Sequence, residues 1–179
     1  MAEFDPFPEV DGILALHAEA LGGAVQGYRN HVTRVLHLLF ALAPGLRAAP
    51  GALLVAAACH DLGIWTAGTF DYLEPSCALA RRHLAERGLS GSSEAVERTI
   101  QWHHKLRIYR GPEAEVVEAF RRADLVDLSL GRIRFGLEPA FVAGVRAAFP
   151  NAGFHRLLLA LGFQQLRRSP LRPLPMVRW

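Results

Sequence analysis

Apolar residues recur at steps of three and four in nearly every segment of the chain, and no stretch alternates over the length of a strand. An α-helix advances about 100° per residue, so this spacing gathers apolar side chains on one face. The pattern predicts an all-α protein with helices near residues 9–22, 28–43, 51–62, 75–88, 92–106, 112–129, 137–148 and 153–166. The stretches APGLRAAPG, ERGLSGSS and YRGPE supply Gly, Pro and Ser breaks between them. Helices of this kind bury their apolar faces by packing into a compact bundle. At 179 residues the chain is expected to form a single domain, 1–179, long enough to bury a core but short for two. From Ser169 the proline-punctuated tail, 169–179, is expected to lie extended against the surface.

Some polar residues fall on the apolar faces. His31 is in phase with Val35, Leu38 and Leu42, whereas His37 falls on another side of the same helix. In the third helix Leu53, Ala56 and Ala57 lead to His60, and Asp61 follows at the helix end; in the fifth, Val96, Thr99 and Ile100 lead to His103, with His104 about a quarter-turn away. In the sixth, Val117 and Phe120 lead to Asp124, and then to Asp127 or Leu128. Four helices thus each direct a His or Asp inward.

Burying an unpaired carboxylate, or several imidazoles together, costs several kcal/mol per ion (about that much even after relaxation). A divalent metal offsets this cost, because it accepts imidazole nitrogen and carboxylate oxygen together, and bundle interiors are where facing helices build such sites. Any one in-phase histidine is commonly a hydrogen-bonded core residue. The joint occurrence of His31, His60, Asp61, His103 and Asp124 is what points to an internal metal site. His83, mid-helix in ARRHLAER, is expected to face water, and Tyr28, Trp65, Phe70 and Tyr72 are expected either to line a pocket mouth or to anchor loops.

Charge adds little. The formal net charge is +3 with eight neutral histidines, too weak a basic balance to argue nucleic-acid binding. Lys105 is the only lysine; after Glu138 come six arginines and no acidic residue, which makes the tail basic. Cys59 and Cys77 sit in apolar helical patterns, so no disulfide framework is expected. The start, MAEFDPFPEVDG, is acidic and proline-broken where a signal peptide would be basic and then apolar, and no apolar run reaches membrane-span length. The expected setting is the cytoplasm.

The order His31, adjacent His60–Asp61, then Asp124 resembles the HD-domain superfamily of metal-dependent phosphohydrolases. HVTRVLHLLFALA is similar to the family's first motif helix, AACHDLG to its His–Asp helix and FRRADLVDLS to its last, and the resemblance covers about residues 28–130, leaving 131–168 as packing helices. It implies that His31, His60, Asp61 and Asp124 hold a first divalent ion. WHHK resembles the double-histidine motif of binuclear members, which implies His103 as a further ligand with His104 beside it. DYLEPS places Glu74 where those members carry a His before Pro; it is either a second-ion ligand or part of a helix-start loop with Ser76 as cap. Ile64 stands where a lysine often follows the motif, and no GYP element follows the double histidine, which argues against a cyclic-di-GMP phosphodiesterase. GIWTAGTFDYLEPS looks like the loop of a distinct branch.

The resemblance implies one or two divalent ions, with Fe, Mn, Mg, Zn and Ni all open, and hydrolysis of a nucleotide or other small phosphoester by activated water. Asp61 would ligate and bridge, while Arg34, one turn from His31, and Lys105 are candidates for phosphate oxygens. Two alternatives stand beside it: an HD-type di-iron oxygenase, and a non-catalytic metal-stabilised binding or regulatory domain. The expected partner is a small phosphorylated molecule, with a homo-oligomer left open and neither membrane nor nucleic acid expected.

Overall fold

The structure is a computed structural model that describes residues 4–171 and 175–177. Among them every regular element is a helix: α1 Pro8–Leu16, α2 Ala18–Leu21, α3 Val25–Leu42, α4 Gly51–Cys59, α5 Gly63–Thr66, α6 Leu73–Glu86, α7 Ser93–Trp102, α8 Ala114–Leu128, α9 Pro139–Ala148 and α10 Phe154–Arg168. Short 3-10 turns join several of them. No helix among the described residues is long and apolar enough to cross a membrane.

The centre is α4. Its residues from Leu53 to Cys59 are all buried, and Ala56, Ala57 and Ala58 are fully so. Such small side chains let α1, α3, α6 and α7 pack around α4 at once. The broadest packing joins α3 to α8, and α9 and α10 lie against α3. One apolar core runs through Val32, Leu36, Leu39, Leu84, Ile100 and Phe120.

The predicted third and fifth helices stop early, and for the same reason. The last four carbonyls of a helix lack intrahelical partners. At the end of α4, His60 donates its Nδ1–H to the Ala57 carbonyl (2.7 Å) and the Leu62 N–H turns to Cys59 (3.0 Å). At the end of α7, His103 donates Nδ1–H to the Ile100 carbonyl (2.5 Å) and the Lys105 N–H turns to Trp102 (2.9 Å). Each histidine ends its helix with one ring nitrogen and keeps the other for the interior.

Ser76 is not the cap of its own helix. That helix, α6, begins three residues earlier, and the Ser76 hydroxyl accepts the Gly63 N–H at the start of α5 (3.0 Å). A Cβ on Gly63 would meet the Tyr72 carbonyl at 2.5 Å and the Ser76 N at 2.9 Å, so only glycine permits this approach. His83 does not face water: it is buried, with Nε2 3.0 Å from Nε2 of His17, and burial lowers the pKa of both. Cys59 and Cys77 are buried free thiols. In the tail, Met176 packs on Ile64 and Tyr72 as part of a small second cluster; positions 172–174 and 178–179 of the expected basic tail lie outside the described residues.

Candidate metal centre

Two helices and two helix ends bring six of the expected residues together. His31 comes from α3, His60 and Asp61 from the turn after α4, His103 and His104 from the turn after α7, and Asp124 from α8. Nε2 of His31 lies 3.0 Å from Nε2 of His60, 3.5 Å from an Asp124 oxygen and 3.9 Å from Asp61 Oδ2. Asp61 Oδ2 is also 3.4 Å from His60 Nε2, while its Oδ1 faces His103 (3.3 Å) and His104 (3.8 Å). Two groups here have the spacing to hold a metal ion, His31–His60–Asp61 and Asp61–His103–His104, and Asp61 belongs to both.

The protonation pattern shows why a cation fits. His31 donates Nδ1–H to Asp127 Oδ2 (2.7 Å), as His60 and His103 donate theirs to backbone carbonyls. A ring that is neutral then carries its lone pair on Nε2. Nε2 of His31 and Nε2 of His60 face one another across 3.0 Å, and with both rings neutral their lone pairs repel unless a positive charge lies between them. Both Asp124 oxygens are buried without a hydrogen-bond partner, a state that native proteins rarely tolerate. A divalent ion held by His31, His60 and Asp61 would supply that charge and lie near the Asp124 carboxylate.

The titration shifts follow the same geometry. Burial pushes Asp124 up to about 7, with nearby His103 and His31 opposing. Burial brings His60 down to about 3, against the pull of Asp61. Burial alone would raise Asp61, but His60, His103 and His104 hold it well below the usual carboxylate range. Burial would lower His103, yet its hydrogen bond to Asp61 raises it.

Asp124 therefore costs the metal-free protein stability at neutral pH. Its folded pKa lies above the unfolded one, so its stabilisation is complete below about pH 4 and is lost as pH rises through 7. In chelator, Asp124→Asn is expected to unfold at higher urea than wild type, by a few kcal/mol (about 1.4 per pH unit) at pH 8, with the gain shrinking toward pH 5. Added Zn²⁺ should stabilise wild type more than the variant, which keeps His31, His60 and Asp61. Equal stabilisation of both would remove Asp124 from the site.

Three expectations need correction. Arg34 does not meet substrate: it is 1 % exposed, donates to both Asp127 oxygens (2.5 and 2.8 Å) and reaches the Phe149 carbonyl (2.9 Å). Glu74 is not brought to the centre; its side chain is 69 % exposed and pairs with Arg81 at 2.8 Å, because it sits on the outer side of the first turn of α6. Tyr28 and Tyr72 line no open mouth, since both are buried. Lys105 is half-buried beside the double histidine.

Tyr72 instead closes the centre. Burial, with Asp61 and Asp124 adding to it, holds its hydroxyl protonated, and it donates to His104 Nε2 at 2.6 Å. This leaves His104 as a supporting group in this arrangement. Asp127 is the other residue that the sequence pattern did not assign a role: it orients His31 and neutralises Arg34 at once. The start of α10 completes this side, with Phe154 stacked on His31 (4.3 Å between centroids) and His155 against the Asp127 carbonyl.

A family model described as HD domain matches residues 28–128, more than half of the chain. No curated protein and no solved structure matches the chain. The matched span runs from Tyr28, just before His31, to the end of α8, and so takes in every member of the His–Asp cluster. On that match and that cluster, the chain belongs to the HD-domain superfamily of metal-dependent phosphohydrolases.

Proposed function

We propose that the protein hydrolyses a nucleotide or another small phosphoester with one or two divalent ions. The observation that carries this reading is the pair of Nε2 atoms facing one another at 3.0 Å beside a buried carboxylate that has no hydrogen-bond partner. His31, His60, Asp61 and Asp124 would hold one ion; Asp61 and His103, with His104 beside them, would hold a second. A bound ion supplies a water whose pKa is lowered toward neutrality and polarises a phosphoryl oxygen. The imidazole-rich donor set suits Mn²⁺, Fe²⁺, Ni²⁺ or Zn²⁺ better than Mg²⁺.

The chain's own groups set the geometry. Asp127 fixes the tautomer of His31, as outer partners of metal-binding histidines do. The Tyr28 hydroxyl accepts the Asp61 N–H (3.2 Å) and donates to the Ala58 carbonyl (3.0 Å), which pins the turn that carries His60 and Asp61. Phe120 and Phe154 flank the imidazoles and exclude water behind them. Lys105 is the cation nearest in sequence to this cluster and the proposed partner of phosphate oxygens. We read the chain as one catalytic unit working in a reducing cytoplasm on a small phosphorylated molecule.

The test is elemental analysis of the isolated protein, followed by phosphate release from nucleotides and simple phosphoesters with added Mn²⁺. Bound metal with phosphate release is the expected result. Oxygen consumption with iron, without phosphate release, would replace hydrolysis by di-iron oxidation, a reading weakened by the outward placement of Glu74. Bound metal with neither activity would leave a metal-stabilised binding domain.

A further inference from the structure

The formal charge of +3 conceals a division along the chain. Residues 1–129 carry sixteen acidic and twelve basic side chains, whereas 130–179 carry eight arginines and one acidic residue, Glu138, which gives a net charge of −4 followed by one of +7. Exposed apolar surface divides the same way: seven of the ten large apolar side chains that stand exposed among the described residues lie in the basic part. Three are on α10, three on the loop that follows α8, and the last is Leu171. Scattered exposed apolar residues need no explanation, but a set that coincides with the positive charge does.

On α10 the two features form one stripe. Its inner side packs Phe154, Leu158 and Leu161 on the rest of the fold, yet Leu159, Phe163 and Leu166, at steps of four and three, are 75, 61 and 44 % exposed. A helix that is apolar on both sides is built to be covered on both. Arg156 and Arg167, three residues before Leu159 and four after Phe163, extend the stripe at its two ends, and both are exposed. The Arg167 guanidinium lies over the Phe163 ring, 5.8 Å from its centroid. The loop after α8 repeats the unit: Ile133 and Phe135 alternate with Arg132 and Arg134, and the Arg122 guanidinium lies over Phe135 at 5.6 Å. Both exposed phenylalanines among the described residues thus carry a cation beside the ring.

Charge decides what covers this surface. A second copy of α10 would set arginine against arginine, because the helix contains no acidic residue. A nucleic acid matches the charge and its bases stack on aromatic rings, but five of the seven exposed apolar side chains are Leu or Ile and offer no ring to stack on. A bilayer of anionic lipid matches both parts: apolar side chains enter the boundary between headgroups and acyl chains, while the guanidinium groups beside them meet lipid phosphate. We propose that the outer face of α10 docks the protein on a membrane surface rich in anionic lipid. Leu159, Phe163 and Leu166 are its apolar anchors, and Arg156 and Arg167 its phosphate contacts. The contact is peripheral, since no helix among the described residues is long and apolar enough to cross a membrane. It holds whatever reaction the metal centre performs.

The full chain is sedimented with vesicles of phosphatidylcholine and phosphatidylserine in equal parts, and with vesicles of phosphatidylcholine alone. Binding to the mixed vesicles only, weakening as salt is raised, is the expected result. Phe163→Glu should weaken it by more than about tenfold, through loss of a buried ring. Arg167→Gln should weaken it about fivefold, the contribution of one cation near an anionic surface. Both variants should match wild type in metal content and in urea unfolding, because both side chains are exposed. Should Phe163→Glu fail to fold, Arg167→Gln and Leu159→Gln decide. Wild type that ignores anionic vesicles, that binds both kinds of vesicle equally, or whose binding none of these substitutions changes would overturn the proposal. So would binding of a single-stranded oligonucleotide in place of the vesicles, or a dimer in solution that Phe163→Glu separates.

Discussion

Asp61→Ala protein is expected to emerge from purification without metal, and with phosphoester hydrolysis at background. Asp61 is the residue that both metal-capable groups share, and each of its oxygens faces a different one: Oδ2 toward His60 and His31, Oδ1 toward His103 and His104. Removing it therefore dismantles both groups at once, whereas removal of any single histidine leaves one group complete. Loss of a partner that only supports a ligand costs roughly 10–100-fold in metal affinity. Loss of the shared ligand itself should exceed about 100-fold, which elemental analysis and a competing chelator will read. Wild-type metal content in Asp61→Ala would remove the basis for the proposed function. The fold should survive, since the turn at His60–Asp61 is also held by the Ala57 and Ala58 carbonyls.

The largest loss of stability is expected from Asp127→Ala. It leaves the Arg34 guanidinium, 1 % exposed, without its carboxylate, and breaking a buried pair on one side costs about 3–5 kcal/mol. The double variant Arg34→Met/Asp127→Leu should recover most of that, because apolar residues of similar size often replace a buried pair without net cost. Metal affinity should not recover with it, since His31 Nδ1–H has lost its acceptor in both proteins. Urea unfolding and metal titration on the same three proteins check this. Parallel recovery of both properties would show that Asp127 serves packing alone.

What the sequence made legible follows from what a helix makes periodic. His31, His60, His103 and Asp124 could be found because each has an apolar residue seven positions away on the same face, Leu38, Leu53, Val96 and Val117. His83 carried a related signal: Ser76, Leu79 and Ala80 lie seven, four and three residues before it and are buried, but the arginines beside it gave its segment a polar look. Arg34 could be given to phosphate or to a carboxylate from its position alone, because the carboxylate that takes it, Asp127, lies 93 residues away. Asp127 was noticed without a role because a helix end leaves the phase of its last turn open. Tyr72 and Glu74 occupy a loop and the helix start that follows it, where no period exists. The resemblance there pointed to Glu74, and the backbone turned Tyr72 inward instead.

The histidines that end α4 and α7 tie helix length to chemistry. One residue inserted into either helix would turn its terminal ring by about 100° and shift it by about 1.5 Å, carrying Nε2 away from Asp61. Such insertions or deletions are closed to these two helices, however well the apolar pattern were kept. The segments 67–71 and 105–113 hold no member of the His–Asp cluster, and Asp71, Lys105 and Arg107 from them line a cleft of about 520 Å³. New loop lengths there could reshape what the molecule accepts while its reactive centre stays where the helix ends put it.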